Sequence, residues 1–304
     1  ITVTYLGSQG MFVSFMVTFF VCQVEKFCQD HNVRIKMPDV CPPALVHGFS
    51  AILPLAFAMI PLYALEAIIS AVSGGALGIC SGFMMVLSAP LNALVSVPGM
   101  FVLVPFACLL WCFGIHGSMI VYSVLMPMMI QAATSNAAAY AAGGVGALVF
   151  YPISLYGSMA YCGGSGNTLP LVIFGLRAKS EQIKAVSKIA LVPGWFGINE
   201  PVTFGMPIMY NPILCIPYIL NVILVMICSL IGYKTGFLIP GFIPIMTLLP
   251  MGFGSFLTTL NWRNAIWDYL MMIPAGIVWY PFFKAYDNQL YKQEQAAAAA
   301  EKAA

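Results

Sequence analysis

The sequence predicts an all-α integral membrane protein, a polytopic helical bundle with broken helices and re-entrant hairpins. Three observations predict it. First, hydrophobic residues make up 61% of the 304 residues and charged residues 7%. Soluble domains carry about 25% charge, so this chain lacks the charge to cover a water-facing surface, and its mean hydropathy of +0.92 agrees. Second, the apolar runs are continuous and lack the strict alternation of barrel strands. Backbone in lipid must be satisfied internally, which leaves helices. Third, no Asp, Glu, Lys or Arg occurs from Ala67 to Leu176, yet Gly and Pro recur throughout that stretch. Simple spans would be joined by charged loops. Irregular backbone at membrane depth survives where it is buried in protein or lines a cavity, and transporters place their sites at such breaks.

In chain order, a first span is expected over residues 5–24 and a polar loop over 25–42. That loop carries Lys26, Arg34 and Lys36 and ends in Cys41-Pro42-Pro43. A second span runs from Ala44 to Leu65. Glu66 ends it and is read as interfacial. After the charge-free stretch come Arg177, Lys179, Glu181, Lys184 and Lys188, then a Pro- and Gly-rich apolar segment from Val192 to Pro217. A span from Ile219 to Gly232 follows, then a second broken or re-entrant element over 236–255. A last span covers Ala265–Phe283, and the polar end holds Lys284, Asp287, Lys292 and Glu294. A spanning helix needs about 20 apolar residues, so the length has room for six or seven spans or part-spans. The Lys and Arg of short loops mark the cytoplasmic side. The 25–42 loop, the 177–188 cluster and the C-terminal end are therefore expected there. Residue Ile1 opens directly on an apolar run, and the chain is expected to start inside a larger membrane domain.

The net charge of +2 and the lack of basic clusters with interleaved aromatics point away from nucleic acid. Nine cysteines are scattered without CxxC spacing, and His31, His47 and His116 lie far apart. No metal and no cofactor is expected.

Ionisable groups within the membrane are expensive and mark function by default. Asp268 and Arg263 lie near the start of the last span, where a local pair or snorkelling accounts for them. Two groups remain. Glu200 lies in Pro193-Gly-Trp-Phe-Gly-Ile-Asn199-Glu200-Pro201, flanked by apolar residues. Pro201 suits the first position of a helix, which would put Asn199 and Glu200 at its N-terminus. His116 lies in Phe113-Gly-Ile-His116-Gly117 and is the lone imidazole of the charge-free stretch. A carboxylate and an imidazole supply the acceptor and donor that a polyol needs. The glycine-rich Gly163-Gly-Ser-Gly-Asn167-Thr168 lacks the Gly-Lys-Ser/Thr of a phosphate loop. Trp111 and Trp195 lie near the two polar candidates and are candidate sugar-stacking or packing residues.

These motifs together resemble the lactose/cellobiose-type enzyme IIC of bacterial phosphotransferase systems. The resemblance rests on Gly197-Ile-Asn199-Glu200-Pro201, Gly114-Ile-His116-Gly117 and Gly163-Gly-Ser-Gly166, in that family's order and spacing. Leu6-Gly-Ser-Gln-Gly10, Ile35-Lys-Met-Pro-Asp39 and Tyr280-Pro-Phe-Phe-Lys-Ala-Tyr-Asp287 add to it. The resemblance implies a subunit that moves a disaccharide, β-linked such as cellobiose, chitobiose or lactose, across the inner membrane. A phosphocysteine on a separate IIB protein, itself served by IIA, then phosphorylates the sugar. It implies a homodimer in the lipid bilayer with a cytoplasmic C-terminus. Residues 1–66 would be the last spans of a dimerisation half, 67–288 a transport domain and 289–304 an alanine-rich tail. The sugar-contacting candidates are His116, Glu200, Asn199, Asn167, Ser165 and Trp195, and no residue is given a catalytic role. The rival reading is an ion-coupled sugar transporter with Glu200 as its proton site.

Overall fold

The computed structural model describes residues 10–36, 38, 43–245 and 247–303. Most of the Leu6–Gly10 run, Met37 and Asp39 of the Ile35–Asp39 run and the Cys41-Pro42 breaker lie outside these residues. Thirteen α-helices occur among the described residues, with no β-strand. The chain divides into two compact units, residues 1–92 and 93–304, later than the 66/67 boundary expected from the sequence.

The first unit holds α1 (Met11–Asp30), α2 (Pro43–Ser50), α3 (Ile52–Val72) and most of α4 (Ile79–Leu94). Helix α1 packs on α3. It extends six residues past the expected span end, because Glu25 and Arg34 pair at 3.6 Å and Gln29 donates to Glu25 at 2.9 Å. Exposed helix ends tolerate such polar residues. Helix α3 exposes Ile60, Tyr63, Ile68 and Val72. So continuous an apolar surface fits lipid or another chain and not water. Glu66, read as interfacial, has a structural partner: its carboxylate accepts the Ile79 N–H at 2.6 Å and so caps α4.

The second unit is centred on α10 (Pro212–Lys234), which packs against α5 (Val97–Cys112) and α13 (Met272–Ala303). Helix α6 (Gly117–Gly143) lies beside α5. Two 3₁₀ turns follow, at Gly144–Ala147 and Pro152–Met159, and then the short α7 (Leu169–Gly175), α8 (Glu181–Trp195) and α9 (Glu200–Gly205). The interior of this unit is apolar, with Trp279, Tyr218, Met226 and Leu125 fully buried. The charged cluster at 177–188 is mostly the first turns of α8, not a loop. Ser180 caps this helix, and two carboxylates from α13 reach its N-terminus. Asp287 accepts from Lys179 N (2.9 and 3.1 Å) and Ser180 N (2.9 Å). Glu294 accepts from Ser180 Oγ (2.6 Å), Glu181 N (3.1 Å) and Gln182 N (3.2 Å). Carboxylates are stabilised at such a helix start, which ties the polar C-terminal end to α8.

Among the described residues four helical stretches are long and apolar enough to cross a membrane: Phe12–Asp30, Val46–Val72, Gly117–Ala147 and Pro212–Lys234. Val97–Cys112 is a shorter apolar helix. The expected span over Ala265–Phe283 is not among them. The chain breaks at Met271 between α12 (Trp262–Leu270) and α13. Helix α12 is held by its polar residues. Asn264 bonds both the N–H and the carbonyl of Ile239, and Asp268 accepts from Gly252 N and Ser255 Oγ. Residues 236–245 and 247–252 are irregular and lead into α11 (Phe253–Thr259). The broken element expected at 236–255 is thus present, and its backbone polar groups are met in part by side chains, as a buried loop requires.

Candidate functional site

Two helix stops of the same design place the two candidate polar residues. Helix α5 ends at Phe113, and Gly114 has φ +79°. Gly114 N donates to Trp111 O and Ile115 N to Leu110 O, both at 3.0 Å. Helix α8 ends at Phe196, and Gly197 has φ +79°. Gly197 N donates to Gly194 O and Ile198 N to Pro193 O, again at 3.0 Å. Each is a Schellman stop with glycine in the left-handed position. In each a Gly-Ile pair leads directly to the polar residues: His116 after one, Asn199 and Glu200 after the other. The six-residue α9 starts at Glu200 itself, with Pro201 second, one residue earlier than the sequence implied.

These stops bring His116 Nε2 to 4.0 Å from Glu200 Oε1. The two side chains are 44% and 47% exposed, so a ligand reaches both. The second carboxylate oxygen, Glu200 Oε2, is buried without a hydrogen-bond partner. The imidazole is fixed from behind. Trp111 Nε1 donates to Ser118 Oγ at 3.1 Å, which leaves the Ser118 hydroxyl to donate to His116 Nδ1 at 3.1 Å. Met119 N also donates to Nδ1, at 3.3 Å. With two donors aimed at Nδ1, the neutral ring carries its proton on Nε2, toward Glu200. Trp111 packs its ring on the imidazole, centroids 4.2 Å apart, and is 3% exposed. It therefore presents no free face and serves as the support of His116.

The glycine-rich run forms a floor under the Gly197–Asn199 turn that leads to Glu200. Gly163, Gly164, Gly166 and Asn167 all have positive φ, from +48° to +94°. A Cβ on Gly164 would collide with the Gly197 carbonyl oxygen and lie 3.1 Å from Asn199 Cβ. Asn199, 4% exposed, donates from Nδ2 to Ser165 O at 2.6 Å. Its own carbonyl accepts from Thr203 N and Thr203 Oγ1. Asn167 is fully buried and faces the other way. It donates to Ser158 O (2.9 Å) and Asn221 Oδ1 (3.2 Å) and accepts from Cys162 N (3.2 Å). Asn221 in turn donates to Gly166 O at 2.7 Å, and Trp279 Nε1 donates to Gly166 O and Asn167 O.

The structure thus brings together His116, Glu200, Asn199 and the Ser165 backbone. It holds Asn167 within the protein. Trp195 lies apart from them: its carbonyl accepts from Met251 N at 2.9 Å, and its half-exposed ring lines a surface depression with Phe253, Phe256 and Tyr269. Two participants were not singled out from the sequence. Ser118 is an ordinary polar residue of a helix start. Asn221 is a lone amide in an apolar helix, and that isolation was its available signal. Among the described residues no group of three or more His, Cys, Asp or Glu could hold a metal ion.

The family described as "Phosphotransferase system, EIIC" matches residues 1–221. The chain is 33% identical over 310 residues to the lichenan permease IIC component of Bacillus subtilis, covering 97% of this chain and 65% of that protein. It is 32% identical to the cellobiose-specific EIIC component of Geobacillus stearothermophilus, covering 97% and 66%. Among solved structures it resembles the transporter ChbC, the IIC component of an N,N'-diacetylchitobiose-specific phosphotransferase system. That match has a TM-score of 0.87 and 30% identity and covers 97% of this chain and 68% of ChbC. The chain spans about two thirds of the length of these relatives. A family match over most of the chain, with the same helical architecture, shows that the chain belongs to the phosphotransferase system EIIC family.

Proposed function

We propose that this chain is the main part of a sugar-translocating IIC component in the bacterial inner membrane. It passes a β-linked disaccharide such as cellobiose, chitobiose or lactose to a phosphorylated IIB partner, which IIA recharges. The observation that carries this reading is the opposition of His116 Nε2 and Glu200 Oε1 at 4.0 Å, with Glu200 Oε2 buried and unpartnered. That separation is too long for a direct bond. A sugar hydroxyl oxygen about 2.8 Å from each group completes a triangle, accepting from Nε2–H and donating to the carboxylate. The hydroxyl oxygen then attacks the phosphorus of the partner's phosphocysteine, the S–P bond breaks as the O–P bond forms, and Glu200 receives the hydroxyl proton. Asn199 and the glycine-rich floor, with Ser165 and Asn167, hold Glu200 in place. Trp195 is kept as an outlying sugar contact.

The protein works as a homodimer with its C-terminus in the cytoplasm, where phosphate is donated. The relatives named for lichenan, cellobiose and chitobiose support the substrate class. The basic first turns of α8 suit a partner made more negative by phosphate. The test is uptake of labelled disaccharides by cells making the full-length protein, with and without IIB. Accumulation of phosphosugar that requires phosphorylated IIB is expected. Accumulation of free sugar without IIB would overturn the reading.

A further inference from the structure

A cavity with a mainly apolar lining and several polar side chains lies in the second unit, away from His116 and Glu200, neither of which lines it. Its volume is about 280 Å³, and it is bounded by the middle of α6, the 3₁₀ turn at Pro152–Met159, the irregular 238–245 segment, α11 and α12. Asp268 lines it and is 4% exposed. Its Oδ2 accepts from Ser255 Oγ (2.7 Å) and Gly252 N (3.1 Å), while Oδ1 is buried without a partner. An unmet buried oxygen is costly, so it calls for a donor. Tyr161 and Tyr233 line the same space with Ser154 and Trp267. Among the described residues no Lys, Arg or His lines it.

From this lining we infer that the cavity is a binding site for one neutral sugar ring. Carboxylate and phenol groups meet hydroxyls, which both donate and accept, and an indole packs on the apolar face of a pyranose. The volume is at the small end of ligand cavities, about 300–1,000 Å³, which suits one ring and excludes an extended oligosaccharide. A phosphorylated sugar would bring its own negative charge into a cavity with no cation among the described lining residues to balance it, which is costly. The cavity thus holds substrate before phosphorylation and rejects product. This inference rests on the sugar-transport reading above but concerns a different set of residues.

The test is equilibrium dialysis of methyl β-D-glucopyranoside and of glucose 6-phosphate against purified full-length protein in nanodiscs. The double variant His116→Ala/Glu200→Gln removes the first site and isolates the second. It is expected to keep binding the methyl glucoside and to leave glucose 6-phosphate unbound. Adding Asp268→Asn, which presents a donor where Oδ1 was an acceptor, is expected to weaken binding about tenfold. Tyr233→Phe removes one hydroxyl without touching the bonds that hold α12 and is expected to weaken it in the same direction. It keeps the test valid should Asp268→Asn misfold. Loss of glucoside binding in the double variant, equal binding of the phosphate, or unchanged affinity in Tyr233→Phe would each overturn the inference. Phospho-IIB-dependent uptake by the unaltered protein is measured separately, so a failure here leaves the proposed function standing or fallen on its own result.

Discussion

Replacing Gly164 by alanine tests how the glycine-rich floor positions Glu200. Gly164 has φ +76°, a conformation that costs a residue with a Cβ about 1–2 kcal/mol. The added methyl would overlap the Gly197 carbonyl oxygen and sit 3.1 Å from both Cβ and Cγ of Asn199. Neither Asn199, bonded to Ser165 O, nor the Schellman stop at Gly197 is a flexible side-chain tip, so the turn itself must shift. Overpacking of this kind costs about 1–3 kcal/mol, and a displacement of about 1 Å at reacting groups costs about 100-fold in rate. Gly164→Ala is therefore expected to lower the thermal midpoint and to reduce phosphosugar formation about 100-fold per folded molecule in isolated membranes. Gly146→Ala is the control, since its Cβ would meet nothing within 4 Å and its φ is not positive; it is expected to behave as the unaltered protein. A Gly164→Ala protein with unaltered rate and midpoint would refute the claim that this loop sets the position of Glu200.

Two further outcomes follow from the geometry. His116→Ala is expected to weaken disaccharide binding about tenfold, the worth of one hydrogen bond to the sugar hydroxyl at a half-exposed site. Equilibrium binding decides it, and an unchanged dissociation constant would reduce His116 to a packing residue. The Ser180 hydroxyl, and after it the N–H groups of Gln182 and Glu181, holds the Glu294 carboxyl below its usual range. A depressed carboxyl stabilises the fold fully above the unfolded value of about 4.3 and loses that contribution as pH falls through the folded one. The hydrogen-exchange rate at the start of α8, taken relative to the intrinsic rate at each pH, is therefore expected to stay low at neutral pH and to rise below about pH 4. In Glu294→Gln that acid-dependent rise should be smaller, and an identical rise would remove Glu294 from the cap.

Much of this was legible locally. The charge-free stretch with its Gly and Pro breaks announced irregular membrane backbone, and the Gly-Ile-His and Gly-Ile-Asn-Glu runs marked the two stops that carry the site. Positive φ at Gly163, Gly164 and Gly166 explains why glycine recurs there. What could not be read was pairing between distant segments. Asn136 bonds Val149 and, 105 residues on, the Gly241 carbonyl, while Asn167 pairs with Asn221 across 54. No local period encodes such partners. The same limit hid the role of Asp287, which is familiar as a motif ending but acts by capping a helix 107 residues earlier. The last span was misplaced for a related reason. Apolar content alone joins α12 to α13, whereas Asn264 and Asp268 tie α12 to the irregular backbone at Ile239 and Gly252.

The central claim is that Glu200 and His116 hold the sugar hydroxyl that receives the phosphate. Glu200→Gln keeps the size of the side chain and removes the proton acceptor. The direct measurement is phosphosugar formation from labelled disaccharide and phosphorylated IIB, in membranes matched for the amount of folded protein. The account predicts that formation falls to background while the protein remains in the membrane with an unchanged thermal midpoint. Undiminished phosphosugar formation in Glu200→Gln would contradict it.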